Sequence, residues 1–575
     1  MKKLFLILLF STQVLVNAQS PTLEWLKQYG TPNKFDVPVN LDTDLAGNVY
    51  IGATLDKDRA GSKMRVAKYN SSGTLIWSKI YTPDFDYESI TMISMDVDSV
   101  GNICVLGWVN ADVDAYYKMV LLKYNASGTT LWTDIEQPTG LDILPRAMAV
   151  DKTGHIYICG SFIYDKGTNH SKSDYFVFKY NKLGSKSWGA FYNGSAGRND
   201  DAFDINFDGA GNCYVTGASE EKDPRSLATL KKNTTIKYSS AGYFQWSRKQ
   251  WYPNAEYTHF EQVKLDGSGN IYVITNYLIP NYEYVCSLTK FNASGTEFWS
   301  KSFAGLVMYG VRSTVDASGN CYLTSVVPGA GIRNLNISTR KYNAAGSQLW
   351  TAQYDGGDST FDFPSDIDVD HAGNVYITGS SSVTKFVQPW LERRPKAITI
   401  KYSDAGSQVW VANYSGPKTD PWAKGTCLAL HGGGSQPLVY VAGNTVNGVI
   451  DDVATSDDIL LLKYNQSKAK GSNSTLEPIG LLRPVSDYKL SAAPNPFRSS
   501  TVIRFDIPYD AQVSLKIYDV SGRELSTLVS GSRRAGSYQS VFDAGRLSSQ
   551  QYFYTLKLTT AKGEFKETKP LLLSR

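Results

Sequence analysis

Long apolar runs are absent after residue 18, since no later stretch approaches the about 20 apolar residues that a membrane-spanning helix needs. Charge is sparse as well, with Asp, Glu, Lys and Arg making up 19% of the chain. Residues 486–575 hold 13 Lys and Arg against 8 Asp and Glu, and this net +5 leaves residues 19–485 near −3. Such a balance offers no basic face to nucleic acid. We therefore expect no transmembrane span and no nucleic-acid partner.

Cysteine and histidine are scarce, with six and five residues in the whole chain. No CxxC pair, HExxH spacing or GxSxG elbow occurs, so the patterns typical of zinc sites and serine nucleophiles are missing. The cysteines are predicted to be free, buried core residues. His155 and His371 fall inside tight turns and are interpreted as turn residues. The sequence thus predicts no cofactor, no metal and no catalytic residues.

The first eighteen residues have the layout of a secretory signal peptide. Lys2 and Lys3 precede a short Leu, Phe and Ile run, and the small residues Val16 and Ala18 precede Gln19. Charged, apolar and small segments in that order are typical of such peptides. We predict that residues 1–18 are removed and that the protein lies outside the cytoplasm.

Two hairpin motifs recur along the chain. One reads KYN-x-x-G-x-x-x-W, as at 68–77 and 123–132, and the other reads D-x-x-G-N-x-Y-x-x-G, as at 208–217 and 370–379. Gly permits the positive φ of a tight turn, and Asp or Asn bonds to its backbone. Two hairpins give four strands, called a, b, c and d here. The aromatic residue of strand c recurs every 51 to 62 residues, at Tyr69, Tyr124, Tyr180, Tyr238, Phe291, Tyr342, Tyr402 and Tyr464. That period predicts propeller blades.

The two ends of the repeat array complement each other. Trp25 lies in a d-type strand with no strand c before it, whereas Tyr464 lies in a strand c with no d-type Trp after it. We predict an all-β protein in which residues 19–465 form an eight-bladed β-propeller closed by the N-terminal strand. Polar residues and Pro make 466–485 a linker. Residues 486–575 are predicted to form a small antiparallel β-sandwich with strands near 501–506, 512–518, 537–542 and 553–558.

The repeats resemble the bacterial β-propeller repeat family named for seven-bladed propellers, over roughly residues 20–465. The family has no single activity, so this resemblance implies a fold and an extracellular setting only.

The tail resembles the type A sorting domain of type IX secretion, which is found in Bacteroidetes-like bacteria. The residues that carry this resemblance include Pro494, Asn495, Pro496, Phe497, Gly522 and Lys569. Gln550 and Gln551 replace the Gly-Val that usually precedes the late aromatic residues. The resemblance implies that the type IX secretion machinery is a partner and that the protein is secreted or held at the cell surface.

Five carboxylates alternate with apolar residues on predicted a strands and would face the propeller channel: Asp42, Asp96, Asp204, Asp366 and Asp368. A glycan lyase or hydrolase would need two of them about 5 to 10 Å apart as acid and base. A cation in the channel is another use for them.

Aromatic residues are frequent at the b–c and d–a connections, which are longer and less alike than the tight turns. Eight of the twelve Trp residues occupy the repeated d position and are expected in the core. The predicted ligand-binding residues in or near the variable connections are Trp108, Tyr116, Tyr117, Tyr252, Tyr282, Tyr284, Trp390 and Trp422. Exposed rings stack on sugars or anchor protein partners, although rings packed between blades would give the same pattern.

The favoured function is therefore a non-catalytic binding or interaction protein with a glycan or surface-protein ligand. The alternatives are a glycan-active enzyme that uses the channel carboxylates and a purely structural envelope component.

Overall fold

The computed structural model describes most of residues 21–574. The undescribed segments within that span are 31–33, 58–60, 85–87, 111–115, 165–171, 224–228, 252–256, 280–282, 305–310, 330–333, 358–359, 388–389, 417–421, 447–448, 451–452, 455–456, 467–488, 508–510, 534–535, 546 and 561–562. In a few strand segments, including those that hold Tyr284 and Trp390, only the backbone is described. The chain divides into two compact units between Thr475 and Leu476. The predicted signal peptide and most of the predicted linker lie outside the described residues.

The described strands of the first compact unit form six four-stranded antiparallel sheets and one eight-stranded sheet, in which two antiparallel four-stranded sets are joined by a parallel bridge between Leu335 and Phe361. The eight four-stranded sets of the described residues are called units 1 to 8. A two-stranded hairpin of Val449–Ile450 and Val453–Ala454 lies in the b–c connection of unit 8. Strands a to d of units 1 to 4 are Val37–Thr43, Val49–Leu55, Lys63–Tyr69, Leu75–Tyr81; Ser89–Val97, Ile103–Asn110, Lys118–Tyr124, Thr130–Glu136; Asp142–Val150, Ile156–Tyr164, Lys172–Tyr180, Lys186–Tyr192; and Asp201–Phe207, Cys213–Lys222, Thr229–Tyr238, Phe244–Gln250. Those of units 5 to 8 are Tyr257–Leu265, Ile271–Ile279, Glu283–Phe291, Glu297–Ala304; Arg312–Val315, Cys321–Pro328, Leu335–Tyr342, Gln348–Tyr354; Thr360–Val369, Val375–Val387, Trp390–Tyr402, Gln408–Tyr414; and Ala423–His431, Leu438–Val446, Asp457–Asn465, Thr22–Tyr29. The predicted all-β repeat is confirmed.

Unit 8 takes its strand d from the start of the chain. Thr22–Tyr29 pairs antiparallel with Asp457–Asn465, with Trp25 opposite Lys463. Each strand a contacts strand a of the next unit along the chain, and strand a of unit 8 contacts strand a of unit 1. One buried cluster joins Val49 and Ile51 of unit 1 to Tyr440 of unit 8.

The Asp residue of each a–b motif organises its turn. In unit 4 Asp208 Oδ1 accepts hydrogen bonds from the backbone N–H groups of Ala210 and Asn212, both at 3.0 Å. Its Oδ2 accepts the Tyr214 hydroxyl at 2.9 Å, while Gly211 supplies a φ of 77°. This motif therefore encodes the turn by local chemistry.

The Trp residue of each c–d motif joins neighbouring units. Its indole N–H donates, over 2.8–3.2 Å, to a backbone carbonyl in the c–d turn of the next unit, in the pairs Trp25–Ser71, Trp77–Ala126, Trp132–Lys182, Trp188–Ser240, Trp246–Ala293, Trp299–Ala344 and Trp350–Asp404. At the unit 7 to unit 8 junction, Trp410 donates to the Gln466 side chain at 3.3 Å. The Trp25 contact, from unit 8 to unit 1, has the same form as the six between successive units.

The second compact unit has two antiparallel sheets around one hydrophobic core. Their strands are Lys489–Ala493, Ser500–Ile507 and Gly536–Asp543 in one sheet, and Glu524–Arg533, Ala511–Tyr518, Gln551–Thr560 and Gly563–Leu572 in the other. The four predicted strands are confirmed, and three further strands were not predicted.

The predicted sorting residues have structural roles in this second unit. Asn495 donates to the Pro570 carbonyl at 2.9 Å and accepts from the Leu572 N–H at 2.8 Å. Lys569 donates to the Leu490 carbonyl at 2.6 Å. Gly522 has a φ of 82° in the turn after Tyr518. Pro494 accepts the Thr501 hydroxyl at 2.6 Å, Pro496 precedes the buried Phe497, and Phe497 bonds through its N–H to Leu572 at 2.9 Å. Segment 494–497 thus holds the last strand, Gly563–Leu572, in place.

All six cysteines are buried, and none forms a disulfide. No helix among the described residues has the length and hydropathy to cross a membrane.

Candidate functional site

Two kinds of connection leave opposite ends of the strands. The a–b and c–d turns of units 1 to 7 are all five residues long, as at 44–48 and 70–74. The b–c connections range from two residues in unit 7 to ten in unit 8. We call these sides the tight-turn face and the variable face. Because unlike loops on a repeated scaffold are where binding sites usually lie, the variable face is the candidate functional surface.

The tight-turn face is largely occupied by contacts that hold the scaffold together. Lys68 lies over the Tyr50 ring, with its Nζ 4.8 Å from the ring centroid and 3.4 Å from Asp44 Oδ2. The same Nζ donates to the Ala126 carbonyl of the next unit at 3.3 Å. Equivalent lysines bridge other junctions, as with Lys179 and Ser240. The KY dipeptide of the repeat is thus an inter-unit tie.

Predicted ligand-binding residues on the variable face form two separate groups among the described contacts. Trp108 packs edge-on against Tyr117 with ring centroids 4.9 Å apart, and Tyr116 beside them is 41% exposed. The Tyr117 N–H donates to Asp142 Oδ1 at 2.6 Å, which fixes this loop to unit 3. Trp422 is half-buried, with Lys424 Nζ 4.8 Å from its ring centroid.

The other predicted aromatic residues are Tyr252, Tyr282, Tyr284 and Trp390. Tyr252 and Tyr282 lie outside the described residues. Tyr284 lies in strand c of unit 5, and Trp390 begins strand c of unit 7 at the tip of a hairpin, paired with Val387. Trp390 therefore directly follows the b–c connection of unit 7, and Trp422 is in the d–a connection that enters unit 8.

The five predicted channel carboxylates lie on a strands, and four of them bridge neighbouring units. Each of these four accepts the N–H of its own following residue and, through Oδ2, an N–H of strand a in the next unit. The inter-unit pairs are Asp42–Val97 at 3.2 Å, Asp96–Val150 at 3.0 Å, Asp204–Val263 at 2.9 Å and Asp366–Leu428 at 2.8 Å. Carboxylates with both oxygens bonded to backbone in this way fit a structural role.

Burial makes these carboxylates weak acids. It raises the pKa of Asp42 to about 6 and that of Asp96 to about 7, and it also raises the pKa values of Asp204 and Asp366. Asp368 differs because Val369 is its one backbone donor in the described structure. Burial raises its pKa to about 7, and the charge of Asp366 adds to the rise. Asp368 is therefore the channel carboxylate with the least structural support.

Replacing Asp368 by Asn is expected to stabilise the protein in a pH-dependent way. Its folded pKa of about 7 lies above the unfolded value of about 3.9. The stability that this group contributes is therefore present below about pH 4 and is lost as the pH rises through 7. Asp368→Asn should increase the free energy of unfolding at pH 8 by on the order of a few kcal/mol, and so raise the melting temperature there, and change both little at pH 4. Thermal melts at both pH values measure the difference.

Asp208→Asn is a control in which the expected change in stability at pH 8 has the opposite sign. Burial alone would raise the pKa of Asp208, but hydrogen bonds from Asn212 and Tyr214 hold it below its usual value. Its stability contribution is present above the unfolded pKa and lost in acid, so Asp208→Asn should destabilise the protein at pH 8. Equal effects of Asp368→Asn at pH 4 and pH 8 would contradict the assignment of a buried, proton-binding carboxylate.

A cleft of about 360 Å³ opens between units 3 and 4 on the variable face. Its polar lining comes from the variable-face ends of several strands and includes Arg146, Lys172, Lys231, Asp201 and Glu220, with Phe203 beside them. Asp201 Oδ1 accepts the Ser161 hydroxyl at 2.7 Å, a bond that joins the two units beneath the opening. None of these residues was predicted as functional, because no shared motif marks them in the repeats.

The d–a connection 193–200 borders this cleft and is held at both ends. Asp200 is fully buried, which raises its pKa to about 7, and it accepts N–H groups of Gly194 at 2.6 Å and Glu220 at 2.9 Å. Glu221 accepts the Ser195 hydroxyl at 2.5 Å and pairs with Lys249 at 2.7 Å. Although burial opposes it, the hydrogen bonds from Lys249 and Ser195 lower the pKa of Glu221 to about 2. The border of the cleft is thus pre-organised.

No three His, Cys, Asp or Glu side chains are grouped so as to hold a metal ion in the part of the chain that the structure describes.

Comparison with known proteins identifies the repeat. A family profile described as "Beta-propeller repeat" (SBBP) matches residues 349–386, which span strand d of unit 6 and strands a and b of unit 7. No curated protein matches the sequence. The repeat match and the four-stranded sheets together show an all-β, propeller-type fold.

Several solved structures are distantly similar. The β-propeller domain of the Trilobed protease from Pyrococcus furiosus has 9% identity over 68% of this chain and 97% of its own, with a TM-score of 0.34. A protein of unknown function from Dyadobacter fermentans has 9% identity over 78% of this chain and 100% of its own, with a TM-score of 0.34. Extracellular domains 1-2 of Drosophila Semaphorin 1a have 8% identity over 62% and 86%, with a TM-score of 0.36. Similarities this distant indicate no function.

Proposed function

We propose that the chain is a secreted or surface-exposed eight-bladed β-propeller, closed by its N-terminal strand, that acts as a non-catalytic binding module through its variable face. Closure is supported by the strand that Thr22–Tyr29 adds to unit 8. It is also supported by the contact between the a strands of units 8 and 1 and by the Trp25 bond to Ser71 at 3.1 Å. A closed ring leaves no long sheet edge exposed to other chains.

The contrast between the two faces carries the binding proposal. On the tight-turn face, the uniform turns carry contacts that join neighbouring units, whereas the variable face has connections of unlike length and a cleft. The backbone bonds to Asp42, Asp96, Asp204 and Asp366 favour binding over catalysis, because a general acid or base needs an oxygen directed at substrate.

Matched aromatic substitutions on the two faces test this proposal. Tyr116 is 41% exposed on the variable face, and Tyr243 is 73% exposed at a c–d turn on the tight-turn face. On an array of glycans and surface-protein extracts, we expect Tyr116→Ala or Trp422→Ala to weaken binding by about thirtyfold, as for the loss of an aromatic hot spot. Tyr243→Ala should bind like the wild type. If Tyr243→Ala alone loses binding, the ligand site lies on the tight-turn face and the proposal is contradicted.

We propose further that residues 486–575 direct export by the type IX secretion machinery, and the resemblance of their motifs supports this. A chain ending at Gln466 should reach the periplasm but neither the medium nor the cell surface. Residues 486–575 fused to a fluorescent protein should carry it out of a host with that machinery. Surface delivery of the truncated chain, measured by protease accessibility, would refute the proposal.

A further inference from the structure

The cleft between units 3 and 4 has the chemistry to select its ligand. We infer that it binds a saccharide unit carrying a carboxylate, such as a uronic acid within a glycan; this rests on the variable face being the binding surface. The inference comes from three features of the cleft, namely its cations, its hydrogen-bonding groups and its size.

Three cations approach the cleft from two units. Arg146 lies on strand a of unit 3, Lys172 begins strand c of unit 3, and Lys231 lies near the start of strand c of unit 4. Arg146 and Lys231 have exposed side chains, and Lys231 lies opposite Glu220 in the paired b and c strands of unit 4. A guanidinium can bind a carboxylate through two parallel hydrogen bonds, which gives both attraction and orientation. The cleft is therefore suited to one carboxylate.

Acidic and amide groups line the same cleft and limit what that anion can be. Asp201 and Glu220 stand among the cations, and Asn199 lies at the border. Carboxylate and amide oxygens accept hydrogen bonds from hydroxyl groups, as sugars supply. They would repel a ligand of dense negative charge, such as nucleic acid or a run of acidic residues. A ligand with one carboxylate and several hydroxyls matches this mixed lining.

The remaining walls suit the apolar face of a sugar ring. Leu144, Ile163 and Phe203 add hydrophobic surface to the cleft. Its volume of about 360 Å³ lies at the low end of the roughly 300–1,000 Å³ typical of small-molecule sites. Such a space holds a short sugar segment rather than a folded partner. Because Asp200 and Glu221 fix the bordering connection 193–200, little ordering is needed on binding.

The test is a glycan microarray probed with the full chain, on which uronate-bearing oligosaccharides are printed beside their carboxyl-reduced neutral counterparts. We expect the protein to be retained by one or more uronate glycans and not by the neutral forms. Arg146→Ala and Lys231→Ala should each weaken that binding about tenfold or more, the usual cost of losing a charge-assisted hydrogen bond. Arg146→Lys keeps the positive charge but cannot form two parallel hydrogen bonds, so its affinity for the uronate glycan should lie between those of the wild type and Arg146→Ala.

Lys79→Ala is the control, since this exposed lysine lies on strand d of unit 1, away from the cleft. It should bind like the wild type, and thermal melts should show all four variants folded. Retention on neutral glycans alone, or uronate binding unchanged in Arg146→Ala and Lys231→Ala, would overturn the inference. If either kind of glycan binding is nevertheless lost in Tyr116→Ala or Trp422→Ala, the proposal that the variable face binds the ligand stands, although the cleft is not the site. If the folded wild-type protein is retained by no glycan on the array, the inference is overturned as well. In that case, binding of a protein ligand that is weakened in Tyr116→Ala or Trp422→Ala would still support the variable face as the binding surface.

Discussion

The Gly242→Ala variant is expected to unfold at a markedly lower temperature than the wild-type protein. Gly242 has a φ of +87°, and a Cβ built there would lie 2.7 Å from Trp188 Cδ2 and Cγ. Trp188 cannot easily retreat, because its indole N–H is bonded to the Ser240 carbonyl at 3.1 Å. The variant therefore combines a left-handed alanine, costing about 1–2 kcal/mol, with overpacking that typically costs about 1–3 kcal/mol more.

Gly269→Ala separates these two costs. Gly269 occupies a tight turn of unit 5 with a φ of +75°, but nothing lies within 4 Å of its built Cβ. Both substitutions share the backbone cost, so the difference between their unfolding midpoints reports the contact between the glycine turn and the indole. We expect Gly242→Ala to be less stable by at least about 1 kcal/mol. Equal midpoints would show that the Trp contact does not couple neighbouring units.

The turns of the repeat were predictable because their chemistry is local. The Asp, Gly, Asn and Tyr residues of one a–b motif bond within seven residues of each other, as Asp208, Gly211 and Tyr214 show. The assignment of Thr22–Tyr29 to the last unit also followed from counting motifs, since Trp25 had no strand c of its own.

The roles of the repeated Trp and Lys residues could not be predicted in the same way. The eight Trp residues were expected simply in the core, yet their indole N–H groups form bonds to the next unit, about 50 residues along the chain, as from Trp77 to Ala126. No local pattern reveals a partner at that distance. The Lys residue of the KY dipeptide follows the same rule, and its role as a tie was not foreseen.

The candidate site was predicted in outline only. Loop lengths indicated which face varies, and the contact of Trp108 with Tyr117 lies on that face. The cleft was missed because its residues come from several strands of two units and share no spacing. In the tail, Glu524–Arg533 was missed because its apolar residues do not alternate cleanly, as its mixed burial shows.

The proposed closure of the ring by the first strand is supported by several contacts of this short segment. Trp25 packs against Gly73 and bonds to Ser71, and Glu24 pairs with Lys463 at 2.8 Å. Arg65 is 1% exposed, and its guanidinium carbon lies 3.7 Å from the centroid of the Tyr29 ring. Removing the segment would leave this buried cation without its ring and strand c of unit 8 with an open edge.

Thermal unfolding of a chain that lacks residues 20–30 tests closure by the first strand. Truncating a single buried Trp typically costs about 3–5 kcal/mol, and the deletion removes Trp25 together with a whole strand. A chain that lacks residues 486–575 is the control, since that segment lies in the other compact unit and its loss should leave the melting of the propeller unchanged. We expect a large fall in the unfolding midpoint for the first deletion and none for the second. A chain without residues 20–30 that melts within one or two degrees of the parent would contradict closure by this strand.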